Sequence, residues 1–156
     1  MSNVLNFKML TLLVGKIVSN LKLNPELRKL LSEGFILHEG CYFLKSLHKQ
    51  QSHINGSDFT DRTGYECFVN SIHFDDYVDT DVFEQALLFS NDLIKVWDVE
   101  NKSLPLRLIL SETDFGFNLK FCLYRENEDW IDENDVDKFE EALIIFNSCA
   151  NTSADF

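Results

Sequence analysis

Between Val4 and Leu23 apolar side chains recur at three- and four-residue spacing: Phe7, Leu10, Leu13, Val14, Ile17, Val18 and Leu21. Lys8, Lys16 and Lys22 fall off that stripe, so the period predicts an amphipathic helix over 4–23. Asn24-Pro25-Glu26 then reads as a helix restart, with Asn24 as N-cap and Pro25 in the first turn, where its missing N–H is harmless. This second helix is expected to stop near Gly34. Phe35-Ile36-Leu37 suits a short strand, whereas Cys41 to Leu47 fits strand or helix equally.

The polar run QQSHINGSDFTDRTG predicts a loop with a turn at Asn55-Gly56. In YECFVNSIHFDDY, Tyr65, Cys67, Val69 and Ser71 alternate with Glu66, Phe68, Asn70 and Ile72, which predicts a strand. Asp79-Thr80-Asp81 opens a third helix whose apolar positions Phe83, Leu87, Leu88, Ile94 and Trp97 imply burial. LPLRLIL and FGFNLKFCLYR flank Ser111-Glu112-Thr113-Asp114, a hairpin pattern pairing Leu104–Leu110 with Phe117–Tyr124. A last helix is expected over Asp132 to Phe146, followed by a frayed tail at 151–156. The order α-α-(β)-β-α-β-β-α predicts an α+β fold: a small, mainly antiparallel sheet with four helices packed against it, in one domain over 1–150.

Composition supports a packed core. The chain of 156 residues is 45% hydrophobic and holds 14 Phe against only 6 Gly and 2 Pro, which leaves little material for linkers. The net charge of −12 is unevenly spread, about +4 over residues 1–50 and −16 over 51–156. Such a body repels polyanions, which argues against nucleic-acid binding. Four widely spaced cysteines without a CxxC fit reduced thiols in a cytoplasm. The apolar N-terminal run is broken by Lys8 and Lys16 and has no A-x-A site, so neither a signal peptide nor a membrane span is expected. The N-x-S/T matches at Asn55, Asn101 and Asn151 then carry no meaning.

Catalytic and metal patterns fail on spacing. Asp114-Phe115-Gly116 spells the magnesium triplet of kinases, but neither a glycine-rich loop nor a catalytic loop accompanies it. His38, Cys41, His48 and His53 match no common zinc spacing. On one predicted strand Cys67 and His73 would stand about 20 Å apart, too far for a thiolate–imidazole pair. A calcium loop starting at Asp132 would place Val136 and Asp137 where an oxygen ligand and a glycine belong. Asp75-Asp76 is an adjacent acid pair, uninformative among 26 acidic residues. No catalytic residue, metal or cofactor is expected.

What remains is ENEDWIDENDVDKFEE, residues 126–141, with nine carboxylates against one Lys138. A helix dipole would account for Asp132, Glu133 and Asp135 near a helix start. Glu126, Glu128 and Asp129 lie before that start, and like charges so close repel unless a cation resolves them. Asp75, Asp76, Asp79 and Asp81 form a second acidic group. Trp130 and Tyr77 stand among these acids as aromatic anchors of the kind interface hot spots favour, although Trp130 also suits a staple beneath the helix start. The expected partner surface is therefore Glu126, Glu128, Asp129, Trp130, Asp132 and Glu133, together with Asp75, Asp76, Tyr77 and Asp79.

In GYECFVNSIHFDDY, LPLRLILSETDFGFNLKFCLYRENEDW and DVDKFEEALIIF the layout from Gly64 to Phe146 resembles the small acidic immunity proteins of bacterial polymorphic-toxin and contact-dependent growth inhibition systems. The resemblance implies a cytoplasmic, non-enzymatic protein that binds one cognate toxin domain, commonly a basic nuclease, and occludes its active site or substrate path. It carries no residue roles over. Such a protein would be a monomer or weak homodimer when free. The alternative is a small regulatory or adaptor protein working through its N-terminal helix, as a dimer seam or partner groove.

Overall fold

The computed structural model describes residues 2–14, 16, 20–101, 103–128 and 131–148. A five-stranded antiparallel sheet is formed by β1 (Ser2–Leu5), β4 (Ser71–His73), β5 (Leu106–Glu112), β6 (Phe117–Leu123) and β7 (Leu143–Asn147), in the order β1-β7-β5-β6-β4. A hairpin of β2 (Phe35–His38) and β3 (Cys41–Leu44) stands beside it. Among the described residues five α-helices accompany them: α1 (Phe7–Leu13), α2 (Pro25–Leu31), α3 (Lys45–Gln50), α4 (Arg62–Val69) and α5 (Val82–Glu100). The α+β class and the antiparallel sheet agree with expectation, with five α-helices rather than four. Among the described residues no helix is long and apolar enough to cross a membrane.

Several elements follow from local chemistry. The Asn24 side chain accepts from the Glu26 amide at 2.8 Å, and Pro25 opens α2. Gly34 follows with φ +68°, a conformation L-residues avoid, and a Cβ there would meet the Glu100 carboxylate. The ambiguous stretch 35–50 resolves into strand, strand and helix, because Glu39-Gly40 adopts positive φ at both positions and closes a tight hairpin. The β5–β6 hairpin pairs Leu106 with Leu123 and Glu112 with Phe117.

Three expectations are corrected. The helix over 4–23 is instead β1, then α1. Asn6 breaks it: its buried Oδ1 accepts from the Met9 and Leu143 amides, while Nδ2 donates to the Glu141 and Val136 carbonyls. The stripe turns outward, with Phe7, Leu10 and Val14 exposed and Met9 buried; Ile17 and Val18 lie outside the described residues. The strand expected over YECFVNSIHFDDY, residues 65–77, is mostly helical. Asp61 caps α4 by accepting from the Gly64 amide at 2.7 Å, and only Ser71–His73 extends. This helix sits between the two sheets and is buried on several sides, so its apolar positions read as alternation. The helix expected over 132–146 is a 3-10 turn, Glu133–Lys138, and then β7, bonded to β1 on one side and β5 on the other. The run Leu143-Ile144-Ile145-Phe146 is buried on both faces, the mark of an interior strand.

The main core lies between one sheet face and α5. Leu108, Leu110, Leu119, Phe121, Ile144 and Phe146 meet Phe83, Phe89, Leu93 and Trp97 there. Rings pack edge-on or stacked, as in Phe35–Trp97 at 4.9 Å and Phe83–Phe117 at 4.8 Å. A smaller cluster of Cys41, Phe43, Tyr65 and Val69 joins the β2–β3 hairpin to α4.

Candidate functional site

The pleat turns Arg107, Ile109, Ser111, Asn118, Lys120 and Leu143 to the sheet face opposite α5. The acidic stretch 131–141 crosses this face. Ile131 and Val136 pack on Ile109, Leu143 and Ile145, closing a third apolar cluster. Coverage is incomplete. Toward the β5–β6 turn a groove of about 400 Å³ remains, floored by Ile109, Leu143, Asn118 and Lys120 and rimmed by Glu112, Asp114, Phe139 and Glu141.

Much of the predicted acidic surface turns out to be structural. Arg107, 6% exposed, donates through Nη2 to Glu133 Oε1 at 2.8 Å and through Nε to Asn147 Oδ1 at 3.0 Å. Its guanidinium lies 4.6 Å over the Tyr124 ring. Glu133 thus neutralises an internal cation. Asp132 caps its turn by accepting from the Asn134 amide at 2.9 Å, and Asp137 accepts from the Phe7 amide at 3.0 Å. Glu128 Oε1 accepts from the Thr63 amide at the start of α4, at 3.3 Å. Asp135 pairs with Lys138 at 3.1 Å. Glu126, Glu140 and Glu141 are exposed, and their carboxylates form no ion pair within 4 Å among the described residues; the Lys8 ammonium donates instead to the Glu140 backbone carbonyl. Asp129 and Trp130 lie outside the described residues.

The second group is not continuous with the first. Glu126 follows the C-terminal end of β6, whereas Asp75 packs against Gly116, just before its N-terminal end; seven strand residues separate them, about 20 Å. A Cβ at Gly116 would come within 3.1 Å of the Asp75 side chain, so any larger residue there would push against Asp75. Asp75 Oδ1 is buried without a hydrogen-bond partner among the described residues. Asp76 and Asp79 are exposed. Half-buried Tyr77 turns toward α2, between a groove containing Lys22, Arg28 and Asp79 and another containing Glu26, Lys29 and Gln50. Burial, then the Asp76 charge, raises its phenol above the ordinary range.

Sequence reasoning missed two features. One is the β5–β6 turn, where Phe115 is 85% exposed between Asp114 and Gly116; an aromatic ring inside an acidic turn was its available signal. The other is a buried polar junction. Glu66, fully buried on α4, receives Arg125 through both oxygens at 2.7 and 2.9 Å, the Leu123 amide at 2.9 Å and the Tyr42 amide at 2.7 Å. One turn on, Asn70 accepts from the Leu44 amide and donates to the Tyr42 and Phe121 carbonyls. Two side chains thus bond β3 to β6 where no ladder does. Each Glu66 oxygen already accepts two hydrogen bonds, so this carboxylate is a structural staple and not an acid–base group.

Among the described residues neither the histidines nor the cysteines assemble a metal centre. The rings of His38 and His48 approach to 4.8 Å, but Cys41 Sγ turns to the Arg62 carbonyl, at 3.9 Å. Burial pushes the Cys41 thiol up to about 11. Cys67 lies on α4 and His73 on β4, not on one strand. Among the described residues no group of three or more His, Cys, Asp or Glu could hold a metal ion.

No solved structure matches the chain at a significant level. A protein of Pasteurella multocida (strain Pm70) described as "Uncharacterized protein PM0498" is 25% identical over 122 residues, covering 71% of this chain and 77% of that protein. The model of the "Uncharacterized protein PM0498 family" matches residues 4–154, and the chain belongs to that family.

Proposed function

We propose that this chain is a cytoplasmic immunity protein, not an enzyme, that binds a cognate toxin domain rich in basic residues and occludes its active site or substrate path. One observation carries the reading: after the internal ion pairs and caps are assigned, Glu126, Glu140, Glu141, Asp76 and Asp79 remain exposed carboxylates without cationic partners among the described residues. On a body of net charge −12 they stand in for the phosphates a nuclease site expects, and they speed encounter with a basic protein roughly 10- to 1000-fold at low salt. The test mixes this chain with the toxin domain encoded beside it. A stoichiometric complex that weakens with salt, and that loses toxin inhibition when Glu126, Glu140, Asp76 and Asp79 become Lys, is expected. Unchanged inhibition by that variant sinks the charge mechanism, and no complex at all sinks the immunity reading.

A second reading, a regulatory or adaptor protein acting through the N-terminal helix, is favoured by the exposure of Phe7, Leu10 and Val14 on α1. A dimer in light scattering that Phe7→Ser and Leu10→Ser abolish would support it; a monomer at all concentrations removes the homodimer form.

A further inference from the structure

The groove beside the β5–β6 turn combines three properties. Its floor is apolar where Ile109 and Leu143 reach it, and its rim carries Glu112, Asp114 and Glu141. None of these three carboxylates meets a cationic side chain within 4 Å among the described residues. Lys120, the cation of the floor, is not free, and the lining as a whole carries a net charge of −2. One exposed ring, Phe139 at 40%, lines it, and a second, Phe115 at 85%, follows Asp114 of the rim in the adjoining turn. A volume of about 400 Å³ suits one long side chain and its immediate neighbours, not a folded element.

We propose that this groove is the docking point for an arginine presented by a basic segment of the partner protein. The choice of arginine is chemical. Its methylene stem covers an apolar floor while the guanidinium stays at the acidic rim. Its planar face stacks on aromatic rings, and its fork of donors takes carboxylates two at a time. An ammonium group is a point charge that uses the rim alone, and an anionic ligand is repelled by it. This assignment rests on the reading that the chain binds a basic protein, and it moves the anchoring contact from the stretch around Trp130 to the hairpin turn.

The probe is the peptide acetyl-Gly-Arg-Gly-Arg-Gly-amide, titrated into the full-length 15N-labelled protein, with the lysine analogue alongside. Amide shifts are expected to concentrate at 109–120 and 131–143, with the arginine peptide the tighter binder. Phe115→Ser combined with Asp114→Asn should weaken it roughly tenfold, while Asp98→Asn, an exposed acid on α5 outside the groove, should leave it unchanged. The spectrum itself reports that each variant is folded. Shifts spread evenly over every acidic stretch, no shifts at all, or equal binding by the Phe115/Asp114 variant, would overturn the proposal. Toxin inhibition that survives the same variant removes the groove and leaves the immunity reading; peptide binding here without any toxin complex does the reverse.

Discussion

Glu66 is the residue on which two sheets depend. It neutralises Arg125 and at the same time satisfies the amides of Tyr42 and Leu123. Removing one member of a buried pair strands the other, so Glu66→Ala should destabilise the fold by about 3–5 kcal/mol in urea denaturation. Removing both charges usually recovers most of such a loss. Here it does not, because the two amides remain without acceptors at about 1–3 kcal/mol each. Glu66→Leu with Arg125→Met should therefore stay clearly below wild type; a double variant as stable as wild type would show that the amides find other partners. His48 makes a different, pH-dependent contribution. Burial, and after it the adjacent His38, holds its pKa below the ordinary 6.5. The folded state thus favours neutral imidazole and the unfolded chain binds more protons, so this contribution is complete above pH 6.5 and declines as the pH falls through the folded pKa. Thermal denaturation at pH 7.5 and 5.5 should show a smaller acid loss for His48→Gln; equal losses would assign the slope to other groups.

At the scale of elements, what was legible depended on whether local and tertiary signals agreed. The Asn24-Pro25 start of α2 carries its own cap and formed as read; α5 formed too, beginning at Val82 without a side-chain cap from Asp81, and the β5–β6 hairpin formed with Ser111 and Glu112 drawn from the expected turn into the ladder. Three segments carry a period that tertiary position overrides. Residues 65–69 alternate yet form a helix, because α4 packs on several sides between the two sheets. Residues 143–146 fit a helical face yet form an interior strand, because β1 and β5 both offer ladders. Residues 4–14 look continuous, but the junction at Asn6 depends on carbonyls more than 100 positions away. The same logic governed the acids: excess charge was visible, but its division between caps, the Arg107 pair and open surface depended on what lies opposite. The corrected α1 makes a sharp prediction. Had 4–23 been one helix facing the core, Phe7→Ser with Leu10→Ser would cost several kcal/mol. With both side chains exposed, the loss should stay within about 1 kcal/mol in urea denaturation. A larger loss would place the stripe against the core.

On the scale of the whole molecule, charge and topology divide the labour. The face against α5 holds the larger apolar core, and the opposite face is closed by an acidic strap that leaves one groove uncovered. The strand order β1-β7-β5-β6-β4 has a further consequence, one of timing. Of these strands a ribosome delivers β1 first and β7 last, yet among the described residues β1 pairs only with β7, and β7 also closes the far edge of β5. Throughout synthesis the N-terminal strand must wait unpaired, and the β5–β6 hairpin must carry an open edge. Only release of Leu143–Asn147 supplies the missing partner to both. The sheet is finished from its middle, and the nascent chain depends on keeping two strand edges apart from other polypeptides until the final strand arrives.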